Sequence, residues 1–339
     1  MYNKATIVRK FKRKPIQWTR NTVQLLFSFF LLYVGWKFYQ FYNHFASMGV
    51  EPFVERPGAV EGFLPISSLV AFKVWVTTGQ FDMIHPAGLV LFTIIVFSSI
   101  LFRKAFCGWL CPVGTMSEFL GKIGKNLFKK QFEPPKWLSV ILSSLKYLLL
   151  IAFAKVIIFD MPIIASIDFI NSPYNKIADI KMMLFFLEIS AFSLKVIVIL
   201  MLLSLFIKNF WCRFLCPYGA LIGLGSLFQL SKIKRNELTC IDCNQCTRAC
   251  PQGIKVAQKK AVMTPECTAC FSCIEACPVK DTLNMTVATK KVNKWVIPSA
   301  FLAVFFGAII VAKLTGHWQS TITYQDFQEL IPLLDYIGH

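Results

Sequence analysis

The chain has 339 residues, 55% of them hydrophobic and 16% charged, with 33 Phe and a formal charge of +18. That balance excludes an ordinary soluble globular domain, which carries fewer apolar residues and about a quarter charged ones. The positive charge sits beside long apolar runs, with no helix–turn–helix, zinc-finger or RNA-binding signature, so it points to membrane topology and not to nucleic acid.

Residues 1–21 are basic, with 7 Lys or Arg. The apolar run behind them is too long for a signal-peptide core, and Ala46–Met48 is no cleavage motif, so an uncleaved anchor is expected. Spans are predicted near 22–45, 86–103, 138–159, 182–207 and 295–313. The stretch 63–78 is short and contains Pro65 and Lys73, which reads as a re-entrant or interfacial helix needing protein cover. Lys and Arg number 7, 7 and 13 in segments 1–21, 103–137 and 208–294, against 2, 2 and 0 in 46–85, 160–181 and 314–339. Five spans put the basic segments on one face, which positive-inside makes the cytoplasm. Trp18, Trp109, Trp137, Trp211 and Trp295 fall near inner boundaries, as an aromatic belt would.

The expected fold is mainly α: a polytopic helical membrane protein of about five spans plus a re-entrant segment, carrying an inserted α+β ferredoxin module. Its parts are a basic cytoplasmic N-terminus (1–21), a four-span domain (22–236), the module (237–290), a fifth span (291–313) and an acidic outer tail (314–339).

All 12 Cys lie in motifs. The segments LFRKAFCGWLCPVGT (101–115) and FIKNFWCRFLCPYGA (206–220) are an internal repeat, each ending an apolar helix in a C-x3-C-P pair. On a helix, positions i and i+4 share a face, so Cys107/Cys111 and Cys212/Cys216 can present four thiolates to one metal or cluster. They can equally serve as redox thiols or bind copper through soft sulfur.

Two C-x2-C-x2-C-x3-C-P runs follow, CIDCNQCTRACP from Cys240 and CTACFSCIEACP from Cys267. Zinc favours two C-x2-C knuckles, whereas this doubled run fits two [4Fe–4S] cubanes. In bacterial two-cluster ferredoxins the fourth Cys of each run ligates the other cluster. The assignment is Cys240, Cys243, Cys246 and Cys277 for cluster I, and Cys267, Cys270, Cys273 and Cys250 for cluster II.

Ionisable residues in the spans are a third kind of candidate. His85 sits at an outer helix end, with a quinone or metal role weighed against a loop cap. Lys155 lies ~6 Å and Glu188 ~9 Å inside their spans at 1.5 Å per residue, and the two could pair between helices. His44, His317 and His339 carry weaker versions of the same reading.

Through HPAG (85–88), FCGWLCPVGT (106–115), WCRFLCPYGA (211–220) and the cubane runs, the chain resembles the membrane-bound polyferredoxins of bacterial respiration: the NapH, NosR and CcoG types. The resemblance covers about residues 60–290. It implies a bacterial inner-membrane protein that relays electrons between the quinone pool, or a cytoplasmic donor, and a partner redox protein. It leaves open whether the chain is itself a quinol dehydrogenase or only a relay. An accessory role in metallocentre assembly, handling copper for a respiratory oxidase, is the alternative. The chain departs from the NosR type in lacking an N-terminal flavin domain, and from the CcoG type in lacking a C-terminal immunoglobulin-like one.

Overall fold

A computed structural model describes residues 14–129, 131–229, 231–287 and 290–337. The basic residues before Lys14 and His339 lie outside the described residues. Three helices are long and apolar enough to cross a bilayer: Pro15–Ala46, Lys136–Asp160 and Val296–Leu314. Leu25, Leu26, Phe29, Val140, Ile151 and Ile310 on these helices stay exposed. Surfaces of that length and apolarity belong in hydrocarbon.

The run expected near 182–207 is not one straight span. Ala178–Leu187 and Ala191–Phe206 meet at 79°. Glu188 leaves the helical region at the first helix's end, and Ser190 Oγ accepts the Ser193 N–H at 3.2 Å to start the second. A serine cap and a carboxylate that resists burial both favour a break there. Pro86–Phe102 has 17 residues, about 26 Å of helix against a ~30 Å hydrocarbon core. Length and composition thus give three spans, or four with the bent pair, where hydropathy suggested five. Pro65–Thr78 is a 14-residue helix with Ser67, Ser68, Val70, Ala71 and Val74 buried. Its Lys73 ammonium donates to the carbonyls of Ile157 and Met161, at the wide turn Lys155–Asp160 where regular helix pairing lapses.

The chain divides into two compact units. One comprises Phe29–Ile95, Ile151–Val196 and Phe305–His339. Its core joins Phe38, Phe41 and Phe45 to Ile177, Ile180 and Phe327. The expected acidic tail is partly helical here. A capping box of Thr323 and Asp326 starts Tyr324–Leu330, and the Phe327 ring packs edge-on to Phe41 at 4.9 Å.

The other unit comprises Met1–Ser28, Val96–Leu150 and Ile197–Val304. It holds both C-x3-C-P repeats and both cysteine runs. Four antiparallel strands, β1 Ser231–Arg235, β2 Ala261–Val262, β3 Leu283–Val287 and β4 Lys290–Val292, pair in the order β2-β1-β3-β4. Ile233 faces Val262 on one side and Met285 on the other, and all three are buried. Lys232 and Lys234 alternate toward the other face, as period-two side chains must. The start of Pro15–Ala46 is fixed by the module: Glu275 accepts the N–H groups of Ile16 and Gln17, both at 3.1 Å. A carboxylate at a helix N-terminus satisfies orphan donors and the dipole together.

Candidate functional site

The two cysteine runs fold alike. Asp242 and Asn244 flank the second Cys of the first run with φ of 49° and 55°, and Ala269 and Phe271 flank that of the second with 48° and 57°. Non-glycine residues held left-handed in matching pairs are strained, and such strain persists where it serves a site. Each loop bends around its sulfurs and enters a single helical turn, Gln245–Arg248 or Ser272–Ala276.

Between these loops lie two recesses, each with a little over 300 Å³ of atom-free space. Cys240, Cys243, Cys246 and Cys277 line one, of about 340 Å³. Cys250, Cys267, Cys270 and Cys273 line the other, of about 330 Å³. Each recess therefore takes three sulfurs from one run and the fourth from the other. Burial, followed by the neighbouring Cys270 sulfur, pushes the Cys250 thiol up to about 12. Burial likewise raises Cys273 and Cys246. Four bare thiolates in so dry a recess would repel one another, whereas a cationic iron core would offset them. Among the described residues no three His, Cys, Asp or Glu side chains converge as a single ion would need. The sulfurs ring a volume instead, and that fits a cubane.

The C-x3-C-P pairs depart from the helical reading. Cys107 lies in the short helix Ala105–Trp109, and Cys111 caps the next helix, Pro112–Phe128. Cys212 lies in the wide turn Trp211–Leu215, and Cys216 caps Pro217–Gly225. Each pair thus straddles a helix break. The physical cause is the proline, which disfavours helical geometry at the residue before it; Cys111 and Cys216 accordingly have ψ of 120° and 107°. The Gly219 N–H donates to Cys216 Sγ at 3.2 Å. The repeated glycine has a steric role as well, because a Cβ on Gly114 would come within 2.6 Å of the Cys107 carbonyl oxygen.

The structure brings the two repeats together. Burial and the electrostatic reach of the other three thiols raise Cys212. Burial pushes Cys111 up to about 11, with the Gly114 N–H opposing. The nearby cations are Lys104 and Lys146, which pair with Glu266 at 3.3 and 2.6 Å. Burial works against the Glu266 carboxylate, but the two ammoniums outweigh it and lower its pKa. Glu266 immediately precedes Cys267, so a buried lysine of a spanning helix is tied to the second cysteine run. Sequence reasoning missed this pair; its signal was Lys146 inside a predicted span, with that helix's acid, Asp160, at the far end.

The first repeat also lies directly on that run. Trp109 Nε1 donates to the Ala269 carbonyl at 3.1 Å. A Cβ on Gly108 would overlap the Thr268 carbonyl. The second repeat approaches the last Cys of the first run, where a Cβ on Gly253 would come within 2.8 Å of Arg213 Nη1.

Residues 84–131 and 190–236 match the "4Fe-4S binding domain" family model, and residues 232–278 match the "4Fe-4S dicluster domain". YccM of Escherichia coli (strain K12), whose name assigns it to electron transport, is 39% identical across 96% of this chain and 93% of its own length. The chain belongs to the membrane polyferredoxin family. The polyferredoxin is also 30% identical to the uncharacterized protein MJ0750 of Methanocaldococcus jannaschii, across 58% of this chain and 78% of that one. The ferredoxin-type protein NapH of Haemophilus influenzae is 25% identical, across 55% of this chain and 64% of its own. No solved structure matches. The polyferredoxin is thus a membrane electron-transfer protein with two [4Fe–4S] clusters.

In the other unit, His85 is fully engaged. Its Nε2 meets the Asn175 carbonyl at 2.6 Å, and its Nδ1 lies 3.3 Å from Arg56 and 3.6 Å from Glu61. Arg56 also pairs with Asp179 at 2.7 Å. Lys155 pairs with Asp160 at 2.6 Å, not with Glu188, which stands at the bend. No ion pair joins His85, Lys155 and Glu188 to one another among the described residues. His44 bonds the Tyr324 hydroxyl at 2.8 Å, and His317 bonds Thr315 at 3.0 Å.

Proposed function

We propose that this polyferredoxin takes electrons from a membrane quinol, or from a reduced cytoplasmic donor, and passes them to a partner redox protein. The order runs from the C-x3-C-P site through cluster II to cluster I. Cluster II is held by Cys267, Cys270, Cys273 and Cys250, and cluster I by Cys240, Cys243, Cys246 and Cys277. The single observation carrying this order is the seat of Gly108 and Trp109 on Thr268 and Ala269, between two of the cluster II sulfurs.

Oxidation of one quinol to quinone releases two electrons and two protons. Each bound [4Fe–4S] core supplies one-electron storage at its recess. The protein's own part is to hold the recesses dry and close, and to seat Cys107, Cys111, Cys212 and Cys216 against one of them. Those four thiols, each part-buried, act as a further metal or redox centre with a lysine pair alongside. The exposed end of the relay is cluster I, since Cys240 and Cys243 are part-exposed while the four cluster II cysteines are buried.

The proposed topology keeps five crossings of the bacterial inner membrane, counting the bent pair and Pro86–Phe102. The Lys and Arg asymmetry supports a cytoplasmic module and an outer C-terminal segment.

The deciding experiment is anaerobic purification of the full chain with iron and inorganic sulfide analysis, followed by reduction with a quinol. About eight irons and eight sulfides, reduced by quinol without copper, support the proposal. A colourless preparation devoid of sulfide overturns it. Copper retained by the protein and lost in a Cys111/Cys216 double variant would favour metallocentre assembly instead.

A further inference from the structure

The unit with the clusters contains a third recess, larger than the other two and unlike them in chemistry. It is an open recess with about 970 Å³ of atom-free space, part of it open solvent. Lys14, Lys122, Lys125, Lys208 and Arg248 line it, with Glu118 as its one carboxylate. Glu118 is already matched, since it pairs with the buried Arg20 and with Lys122 at 3.1 Å. Lys14 and Lys125 form no ion pair among the described residues. The recess thus gathers a surplus of positive charge in a concave site of ligand size.

Two features mark it as more than a solvated basic face. Its wall includes Cys250 and Pro251, and Cys250 also lines the cluster II recess. Lys208 is not free to swing into water: its side chain is 16% exposed and donates to the Arg248 carbonyl at 3.2 Å. Burial pulls the Lys208 ammonium below its ordinary value, against Glu133, which pairs with it at 3.9 Å, and Cys250, while Lys125 and Arg213 add to the lowering. An anion would relieve that crowding.

We infer that this recess binds a phosphate-bearing anion beside cluster II. The chemistry could come from an anionic phospholipid headgroup, since Lys14 precedes a spanning helix where basic pockets meet inner-leaflet lipids. It could also come from a soluble phosphorylated redox carrier. Either places negative charge near Cys250 and so disfavours the reduced cluster, lowering its reduction potential. The inference rests on the cluster II ligand set proposed above.

The test uses the full chain, loaded anaerobically, and a Lys122→Gln/Lys125→Gln/Lys208→Gln variant, none of whose changes touches a cysteine. The chain is placed in nanodiscs of phosphatidylcholine alone or with phosphatidylglycerol, and the cluster potentials are followed by electron paramagnetic resonance. Flavin mononucleotide, with pyrophosphate as competitor, is titrated in the phosphatidylcholine discs. A potential that falls with phosphatidylglycerol in the parent and not in the variant assigns the lipid source. Saturable flavin mononucleotide binding, displaced by pyrophosphate and weakened about tenfold or more in the variant, assigns the soluble one. Neither response, or equal responses in parent and variant, overturns the inference. Iron and sulfide content read the clusters separately, so their absence sinks the earlier proposal and their presence with no anion response sinks this one.

Discussion

Gly108 carries the sharpest test of how the thiol repeat meets the iron–sulfur module. Its missing side chain is the reason the helix Ala105–Trp109 can lie on Thr268. In Gly108→Ala the new methyl would overlap the Thr268 carbonyl oxygen and come within 3.2 Å of its Cβ. The first of these is backbone and cannot swing aside, so helix and loop must part by roughly 1 Å to restore ordinary contact. Overpacking of this kind costs about 1–3 kcal/mol. Parting them also weakens the Trp109–Ala269 hydrogen bond, whose buried carbonyl would lose about another 1 kcal/mol. Thr268 lies between Cys267 and Cys270, so the distortion falls on cluster II and spares cluster I. The expected outcome is a changed cluster II resonance, an unchanged cluster I resonance and slower quinol-driven reduction of both. Gly35→Ala and Gly307→Ala are the controls, since a Cβ there meets nothing within 4 Å. Identical resonances and reduction rates in Gly108→Ala and the controls would refute the docking argument.

Cys243→Ser and Cys270→Ser should each remove a different cluster signal in electron paramagnetic resonance; loss of the same signal in both would break the crossed ligand set. Glu266→Gln leaves Lys104 and Lys146 without their shared counter-charge, and the thermal midpoint should fall by an amount equivalent to about 3 kcal/mol. Because Glu266 has a lowered pKa in the folded chain, its contribution is present above the ordinary carboxylate range and fades as acid protonates it; a midpoint flat with pH in the parent's acid limb would contradict this. Asp326 behaves alike: hydrogen bonds from Lys176 and Thr323 hold it at about 2, against 3.8 unfolded. The stability that Asp326→Asn removes should therefore be full above about pH 4 and vanish toward pH 2, read by thermal melts of both proteins. Topology reporters inserted at Asn236 and at Ser320 should report opposite faces of the membrane, and agreement between them would exclude five crossings.

Much of the electron-transfer reading was legible in the residues themselves. The cysteine spacings are local, because three sulfurs of each cubane sit on one short loop and the following proline turns the chain away. The apolar runs are equally local, since hydropathy is a property of twenty consecutive residues. The sequence also carried the repeat that pairs residues 107–111 with 212–216. The structure then showed what spacing could not. Proline moved Cys111 and Cys216 from a shared helix face to the caps of new helices, an effect of local sterics that an i, i+4 pattern hides. The bend at Glu188 interrupts a run that hydropathy reads as continuous, because a window average does not register a cap and a single carboxylate.

What the sequence by itself determined is therefore the chemistry: thiols in cubane spacing on a chain too apolar for water. Only the tertiary structure decided who meets whom. Cys250 joins the cavity of Cys267, Cys270 and Cys273, Lys146 reaches Glu266 over 120 residues, and Gly108 admits Thr268. Those meetings depend on long-range packing, and no short-range periodicity encodes which distant backbone a missing side chain will let in.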